Sequence, residues 1–563
     1  MDESLSHVVG ATTPPLLKLT IGQALDAAAD RWGGLDAVVS VHQGVRWTYA
    51  ELKARAEAFA AGLLALGLKP GDRVGIWSPN KAEWTLTQFA AAKAGLILVT
   101  INPAYRLTEV EYTIGKVGIR ALVCAEAFKT SAYAEMIEAL APEIAACPPG
   151  ALKAARLPTL TAAIKIGGAP RPGWLDFEAV APLASEADRA RLARTQTERH
   201  PDEPINIQFT SGTTGLPKGA TLSHRNILNN GFFVGEAVGL GPGDRLCLPV
   251  PLYHCFGMVM GNLGCLTHGA AMVYPSDGFD PEAVLACVEA ERCTGLYGVP
   301  TMFIAELGHP DFDRYDLSSL RTGCMAGSPC PVEVMRTVID RMHMQDVTIA
   351  YGMTETSPVS LQTRPDDPLE RRVSSVGRVQ PHLECKVVDA EGETAPRGVA
   401  GELCARGYSV MLGYWDDAER TAEAIDPEGW MHTGDLAVID ADGYANIVGR
   451  IKDLVIRGGE NVYPREVEEF LYRHPKIEDV TVVGVPDARF GEELCAWIRL
   501  RPGERATAEE ITGFCRGQIA HYKVPRYVRF VESFPMTVTG KVQKYLIREQ
   551  MIEELALKVE RTA

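Results

Sequence analysis

Apolar positions in the first third of the chain alternate between two periods. In "ELKARAEAFAAGLLALG" (51–67), Leu52, Ala56, Phe59, Ala60 and Leu63 fall on one helical face, and Gly67 supplies the residue that a left-handed C′ stop favours. "RVGIW" (73–77) is a short continuous apolar run and predicts a buried strand. "AEWTLTQFAAAKAG" (82–95) returns to a helix that ends at Gly95, and "LILVTI" (96–101) is a β-branched strand. Helix and strand in turn predict parallel sheets covered by helices. "APEIAACPPGALKAARLP" (141–158) breaks the alternation. It is rich in Ala and Pro and reads as a surface excursion.

A second α/β unit is expected from about residue 450. In "NVYPREVEEFLYRHP" (461–475), Pro464 suits a first helical turn, and Val467, Phe470 and Leu471 form an apolar stripe. "VTVVGV" and "LCAWIRL" read as strands, and "TAEEITGFCRGQIAHY" (507–522) as a helix. The predicted organisation is α/β: a large multi-sheet N-terminal domain over 1–450 and a small α/β C-terminal domain over 451–563. The two meet at "GRIKD" with almost no linker, an arrangement that places sites in a cleft.

Length and composition fit this picture. The chain has 563 residues, 46% apolar and 23% charged, enough for more than one core. A net charge of -16 argues against broad nucleic-acid binding, which needs a basic stripe, but leaves room for a local basic site for a small anion. Thirteen cysteines, an odd number without CxxC spacing, lie mostly in apolar runs and point to a reducing compartment. No apolar run approaches the length of a membrane span, and the acidic start "MDESLSHVVG" is unlike a targeting peptide, so a cytoplasmic location is expected.

The densest chemistry lies in "TSGTTGLPKG" (210–219). Gly212 and Gly215 permit close backbone approach to an anion, Ser211, Thr213 and Thr214 add neutral donors, and Lys218 adds a charge. The preceding "INIQFT" reads as a strand, so the loop lies at a strand end. A Walker loop is excluded because Lys218 follows Pro217 and precedes Gly219, leaving no metal-binding hydroxyl. The GxGxxG spacing of a dinucleotide fold is absent as well.

This decamer resembles the signature loop of the adenylate-forming superfamily, which includes acyl-CoA synthetases, luciferases and peptide-synthetase adenylation domains. "INPAYR", "YHCFG", "YGMTET", "WMHTGD", "GRIKDLVIRGGENVYPREVE" and "PMTVTGKVQK" occur in that family's order, from about residue 40 to 550. The last two most resemble medium-chain fatty acyl-CoA synthetases. The resemblance implies two steps: a carboxylic acid and ATP give acyl-AMP and pyrophosphate, and coenzyme A then displaces AMP.

It also implies residue roles. The loop from Thr210 to Lys218, with Leu216 and Pro217 in it, would grip the β- and γ-phosphates. Glu355 would hold Mg2+, Thr354 would bond the α-phosphate, and Tyr351 would stack on adenine, with Gly327 and Ser328 of "AGSP" on its other side. Asp435 and Arg450 would clamp the ribose; an aspartate can accept from both hydroxyls of a diol. Lys541 would bridge the carboxylate and the α-phosphate. Lys452 would be the hinge on which the small, mobile domain swings, and Gly458, Gly459 and Glu460 would line the pantetheine tunnel. His254 would gate the acyl pocket, while Lys544 reads as surface decoration. The uncharged "FGMVMGNLG" after His254 reads as apolar and flexible, favouring an aliphatic acid over an amino acid. An aryl or dicarboxylic acid, transfer to a free carrier protein, and a non-catalytic nucleotide sensor are the alternatives.

Overall fold

The computed structural model describes residues 4–210, 217–458, 460–487, 489–537 and 540–557. Among these, four sheets organise the chain. The first has eight strands, and its centre is the predicted parallel set: Arg73–Trp77 lies between Ile97–Thr100 and Ile119–Ala125, all parallel. Pro204–Thr210 joins it in parallel, and Lys218–Ser223 then turns back antiparallel. The second has nine strands with a parallel core that includes Gly295–Gly298, Thr322–Ala326 and Asp346–Gly352. The third is antiparallel and carries Leu383–Val388, Gly401–Gly407, Met431–Ile439 and Ala445–Arg450.

Helices pack against the parallel sheets as the patterning requires. Tyr49–Ala65 starts at a capping box between Thr48 and Glu51, and Gly67 beyond its end takes φ +87°. Leu52, Ala56, Ala60 and Leu63 have no exposed surface, and Phe59 stacks on Phe177. Ala82–Ala94 is buried on every side except at Glu83, and Gly95 caps it in the left-handed region. All thirteen cysteines are unpaired and twelve are buried, so they fill the core as small apolar groups.

The fourth sheet is formed by residues after 454. Ile477–Asp487 pairs antiparallel with Gly491–Leu500, and Tyr527–Phe530 adds in parallel. The helix Pro464–Leu471 buries Val467 and Leu471 against it.

Three expectations change. The 141–158 stretch is not a free excursion, because Ile144, Leu152, Ala154 and Leu157 are buried in the core beneath the first sheet. The helix expected over 507–522 covers only Ala508–Cys515; Arg516 turns to extended backbone and ends it, and Gly517 follows at φ +73°. "FGMVMGNLG" is no flexible loop: Phe256–Leu263 is a wholly buried π-helix. A Cβ on Gly257 would lie 2.5 Å from the Pro251 carbonyl oxygen, so glycine there is what lets the turn pack. No helix among the described residues is long and apolar enough to cross a membrane.

Candidate active site

The carboxyl ends of strands from both large sheets converge, the position where open α/β sheets bind ligands. Thr210 ends one strand and lies opposite Lys218 on the next, antiparallel one. Ser211, Gly212, Thr213, Thr214, Gly215 and Leu216 lie outside the described residues. Pro217 directly precedes the returning strand, and the Lys218 ammonium sits 4.4 Å from the Tyr414 ring centroid.

Asp346–Gly352 delivers the next group. Past its end, Thr354–Thr356 forms a single 3₁₀ turn that buries Thr354 and Glu355. One oxygen of Glu355 accepts from the Thr210 hydroxyl (3.1 Å) and from the Tyr414 hydroxyl (2.9 Å). Both partners are neutral, and among the described residues no cation lies at hydrogen-bond distance from this buried carboxylate. A hard carboxylate beside neutral hydroxyls fits magnesium, which takes one or two carboxylates and completes its shell with water and phosphate.

On the same strand, Tyr351 donates from its hydroxyl to Asp435 (2.6 Å). Burial and then the Asp435 charge push the phenol well above its ordinary range, so it stays a donor. Asp435 pairs across the third sheet with Arg450, whose Nε donates to its other oxygen at 3.0 Å. Both oxygens of this buried aspartate are thus fixed before any ligand arrives.

Lys541 reaches this group from the fourth-sheet region. Its N–H donates to the Thr537 hydroxyl (3.0 Å), and its carbonyl accepts from the Thr537 N–H (2.8 Å). Gly540 beside it takes φ +76°, and its carbonyl accepts from the Thr301 hydroxyl at 3.4 Å. A Cβ on Gly327, which follows the strand Thr322–Ala326, would stand 3.8 Å from Lys541 Cε. Ser328 is half-buried in the same turn, and its carbonyl faces the Cys330 thiol. Burial holds the Lys541 ammonium below its ordinary pKa, aided by Arg450; Cys255, Asp435 and Glu355 pull the other way. The lysine is therefore a half-buried, partly desolvated charge within electrostatic reach of both carboxylates.

His254 lies in the same region. Its Nδ1 accepts from the Phe256 N–H (3.2 Å), which leaves the proton on Nε2. Burial and then Lys541 push its pKa down to about 3, so the ring is a neutral donor. Cys255 spans the gap between it and Thr354, with its sulfur 3.7 Å from His254 Nδ1 and 3.8 Å from the Thr354 hydroxyl.

The remaining expected residues stand apart. Lys452 is exposed in the 3₁₀ turn Ile451–Asp453, immediately after Arg450. Gly458 donates its N–H to the Phe490 carbonyl (2.8 Å) on a hairpin whose second strand starts at Glu460; Gly459 lies outside the described residues. Lys544 corrects the expectation made for it: its ammonium binds buried Glu468 (2.7 Å) and the Val482 carbonyl (3.2 Å), so it joins a helix start to the sheet. Sequence reasoning missed Tyr414, Thr301 and Cys255. Cys255 was inside a quoted motif; the other two carry no local signal.

The enzyme-family model "AMP-binding enzyme" matches residues 25–415, and "AMP-binding enzyme C-terminal domain" matches 466–541. The chain is 50% identical over 555 residues to medium-chain acyl-CoA ligase ACSF2, mitochondrial, of Danio rerio, covering 98% of this chain and 91% of that protein. It is 49% identical over 539 residues to the putative acyl-CoA synthetase YngI of Bacillus subtilis (strain 168), covering 96% and 98%. Among solved structures, the anthranilate CoA ligase AuaEII in complex with anthranoyl-AMP superposes with a TM-score of 0.85 at 28% identity, covering 96% of this chain and 99% of that one. ATP-bound MatB from Rhodopseudomonas palustris gives 0.81 at 30% identity, covering 95% and 99%. With matches running through both units and the site just described, the chain belongs to the AMP-binding, adenylate-forming enzyme family.

Proposed function

We propose that the protein is an AMP-forming acyl-CoA synthetase whose acid is a medium-chain fatty acid. The observation that carries this reading is that the Lys541 ammonium lies within electrostatic reach of Glu355 and Asp435, in a chain about half identical to a medium-chain acyl-CoA ligase. In the first step a carboxylate oxygen attacks the α-phosphorus of ATP and pyrophosphate leaves. Both reactants are anionic, so positioning and charge neutralisation are the main work. Lys541 places one desolvated ammonium between them. Thr354 donates to the α-phosphate, and the segment 210–218 with Lys218 holds the leaving pyrophosphate.

Glu355 would hold Mg2+, which when bound neutralises phosphate charge. Asp435 receives the ribose hydroxyls, with Arg450 and Tyr351 fixing its oxygens, and Tyr351 lies against adenine opposite Gly327 and Ser328. His254, neutral and donating from Nε2, stands where the acid enters from the apolar side formed by Phe256–Leu263. In the second step the coenzyme A thiol attacks the acyl carbonyl and AMP leaves. We assign this step to a second orientation of a lid, residues 451–563, turning at Lys452, with Gly458, Gly459 and Glu460 beside the pantetheine arm.

The reading is tested by Mg2+-dependent pyrophosphate release on adding ATP and acid, followed by thioester formation with coenzyme A. Release without thioester, restored by a phosphopantetheinylated carrier, would replace coenzyme A as acceptor. A reducing compartment suits thirteen unpaired cysteines, and we propose the cytoplasm; cell fractionation tests it.

A further inference from the structure

Asp435 does not sit in regular sheet. On the strand Gly401–Gly407, Glu402 pairs with Leu436 and Cys404 with His432, so Leu403 alone faces Thr433, Gly434 and Asp435. Two residues more than the ladder can pair bulge out, and a bulge re-aims the side chain it carries. The backbone groups freed this way must find other partners. Gly434, at φ +69°, donates its N–H to Glu402 Oε1 at 3.0 Å. The Thr433 hydroxyl donates to the Leu403 carbonyl (2.6 Å) and accepts from the Asp435 N–H (3.1 Å). Glu402 Oε2 in turn lies 2.9 Å from His432 Nδ1; a carboxylate only accepts here, so Nδ1 carries the proton. One carboxylate thereby ties both the residue before Thr433 and the residue after it.

We propose that Glu402 and His432 are positioning residues that set the bulge holding Asp435 toward the nucleotide ribose. The inference rests on the assignment of Asp435 to the ribose made above. Glu402 touches no reacting atom. It holds the Gly434 N–H, and through it the direction of the next side chain, while His432 stops the carboxylate from rotating away. A charge-assisted bond of this kind is worth roughly ten- to a hundredfold in an equilibrium.

The test compares ATP with 2′,3′-dideoxy-ATP in pyrophosphate release by the full-length enzyme. Glu402→Ala is expected to raise KM for ATP about tenfold or more, with kcat and the acid KM changed less than about twofold. With dideoxy-ATP, which offers no diol to Asp435, the KM penalty should fall below about twofold. Glu402→Gln keeps an acceptor for Gly434 but loses the charge and the second acceptor for His432, so its ATP KM should fall between those of Glu402→Ala and wild type. His432→Ala leaves Glu402 in place and provides the same comparison should Glu402→Ala fold poorly; it should show the same diol-dependent loss. Equal KM penalties for both nucleotides, or none for ATP, overturn the proposal. Asp435→Asn separates the two readings. If its own penalty ignores the diol, the ribose assignment fails; if it tracks the diol while Glu402→Ala does not, only the positioning role fails.

Discussion

Replacing Lys541 by alanine separates the two chemical steps. The ammonium is desolvated and flanked by Arg450, Asp435 and Glu355, so it acts through a medium less polarisable than water. At an effective dielectric of about 20, a charge pair about 4 Å apart is worth about 4 kcal/mol. Two anions meet the lysine in the first step, but part of that attraction offsets the hydration it has given up and the repulsion from Arg450. A net loss of about 3–4 kcal/mol remains, or about 10²–10³ in the adenylation rate. In the second step the attacking thiol and the leaving AMP do not depend on this charge. Lys541→Ala should therefore lose pyrophosphate release while still converting supplied acyl-AMP and coenzyme A to thioester at close to the wild-type rate. Single-turnover measurement of each half-reaction reads both. Equal loss in the two halves would refute the assignment of Lys541 to the first step.

Other consequences follow from neighbouring residues. Gly540→Ala puts a Cβ 2.9 Å from Val299 Cγ2 at a φ of +76°, so adenylation should fall more than thioester formation from supplied acyl-AMP; the reverse order would count against this docked arrangement serving adenylation. Lys452 lies in a 3₁₀ turn whose φ range proline shares, so Lys452→Pro should tolerate the observed arrangement and slow the thioester step; an unchanged thioester rate speaks against rotation there. Adenylation kcat/KM should fall on the alkaline side as Lys541 loses its proton, below the ordinary lysine value because burial lowers its pKa. Lys541→Arg should remove that limb, since guanidinium stays charged; a limb that persists belongs to another group. His254, with its pKa at about 3, contributes no titration between pH 5 and 8.

Much of this was legible in sequence. The helical stripe of Leu52 to Leu63, the strands at 73 and 97 and the glycine stops are local patterns, and local patterns survive folding when burial agrees with them. The candidate site residues stand in short motifs: Thr210 ends a strand, Thr354 and Glu355 form a tight turn and Asp435 sits on a bulge, each written in a few adjacent letters. What could not be read is set by pairing across long separations. Tyr414 meets Glu355 because Gly413–Tyr414 pairs with Lys218–Ser223, and Glu402 meets Gly434 because a bulge shifts one strand against another. Lys544 looked solvated because its partner, Glu468, lies on a different helix. The π-helix at 256–263 depends on how closely glycines approach Pro251 and Leu248, which composition does not encode.

Joining a medium-chain fatty acid to coenzyme A through acyl-AMP is the activity proposed for this enzyme. It is tested most directly by measuring thioester formation over straight-chain acids from short to long, together with aryl and dicarboxylic acids, at saturating ATP, Mg2+ and coenzyme A. The value of kcat/KM should peak at a medium-chain acid, with one AMP and one pyrophosphate released per thioester. A peak at an aryl or dicarboxylic acid, or no thioester with any acid, would contradict it.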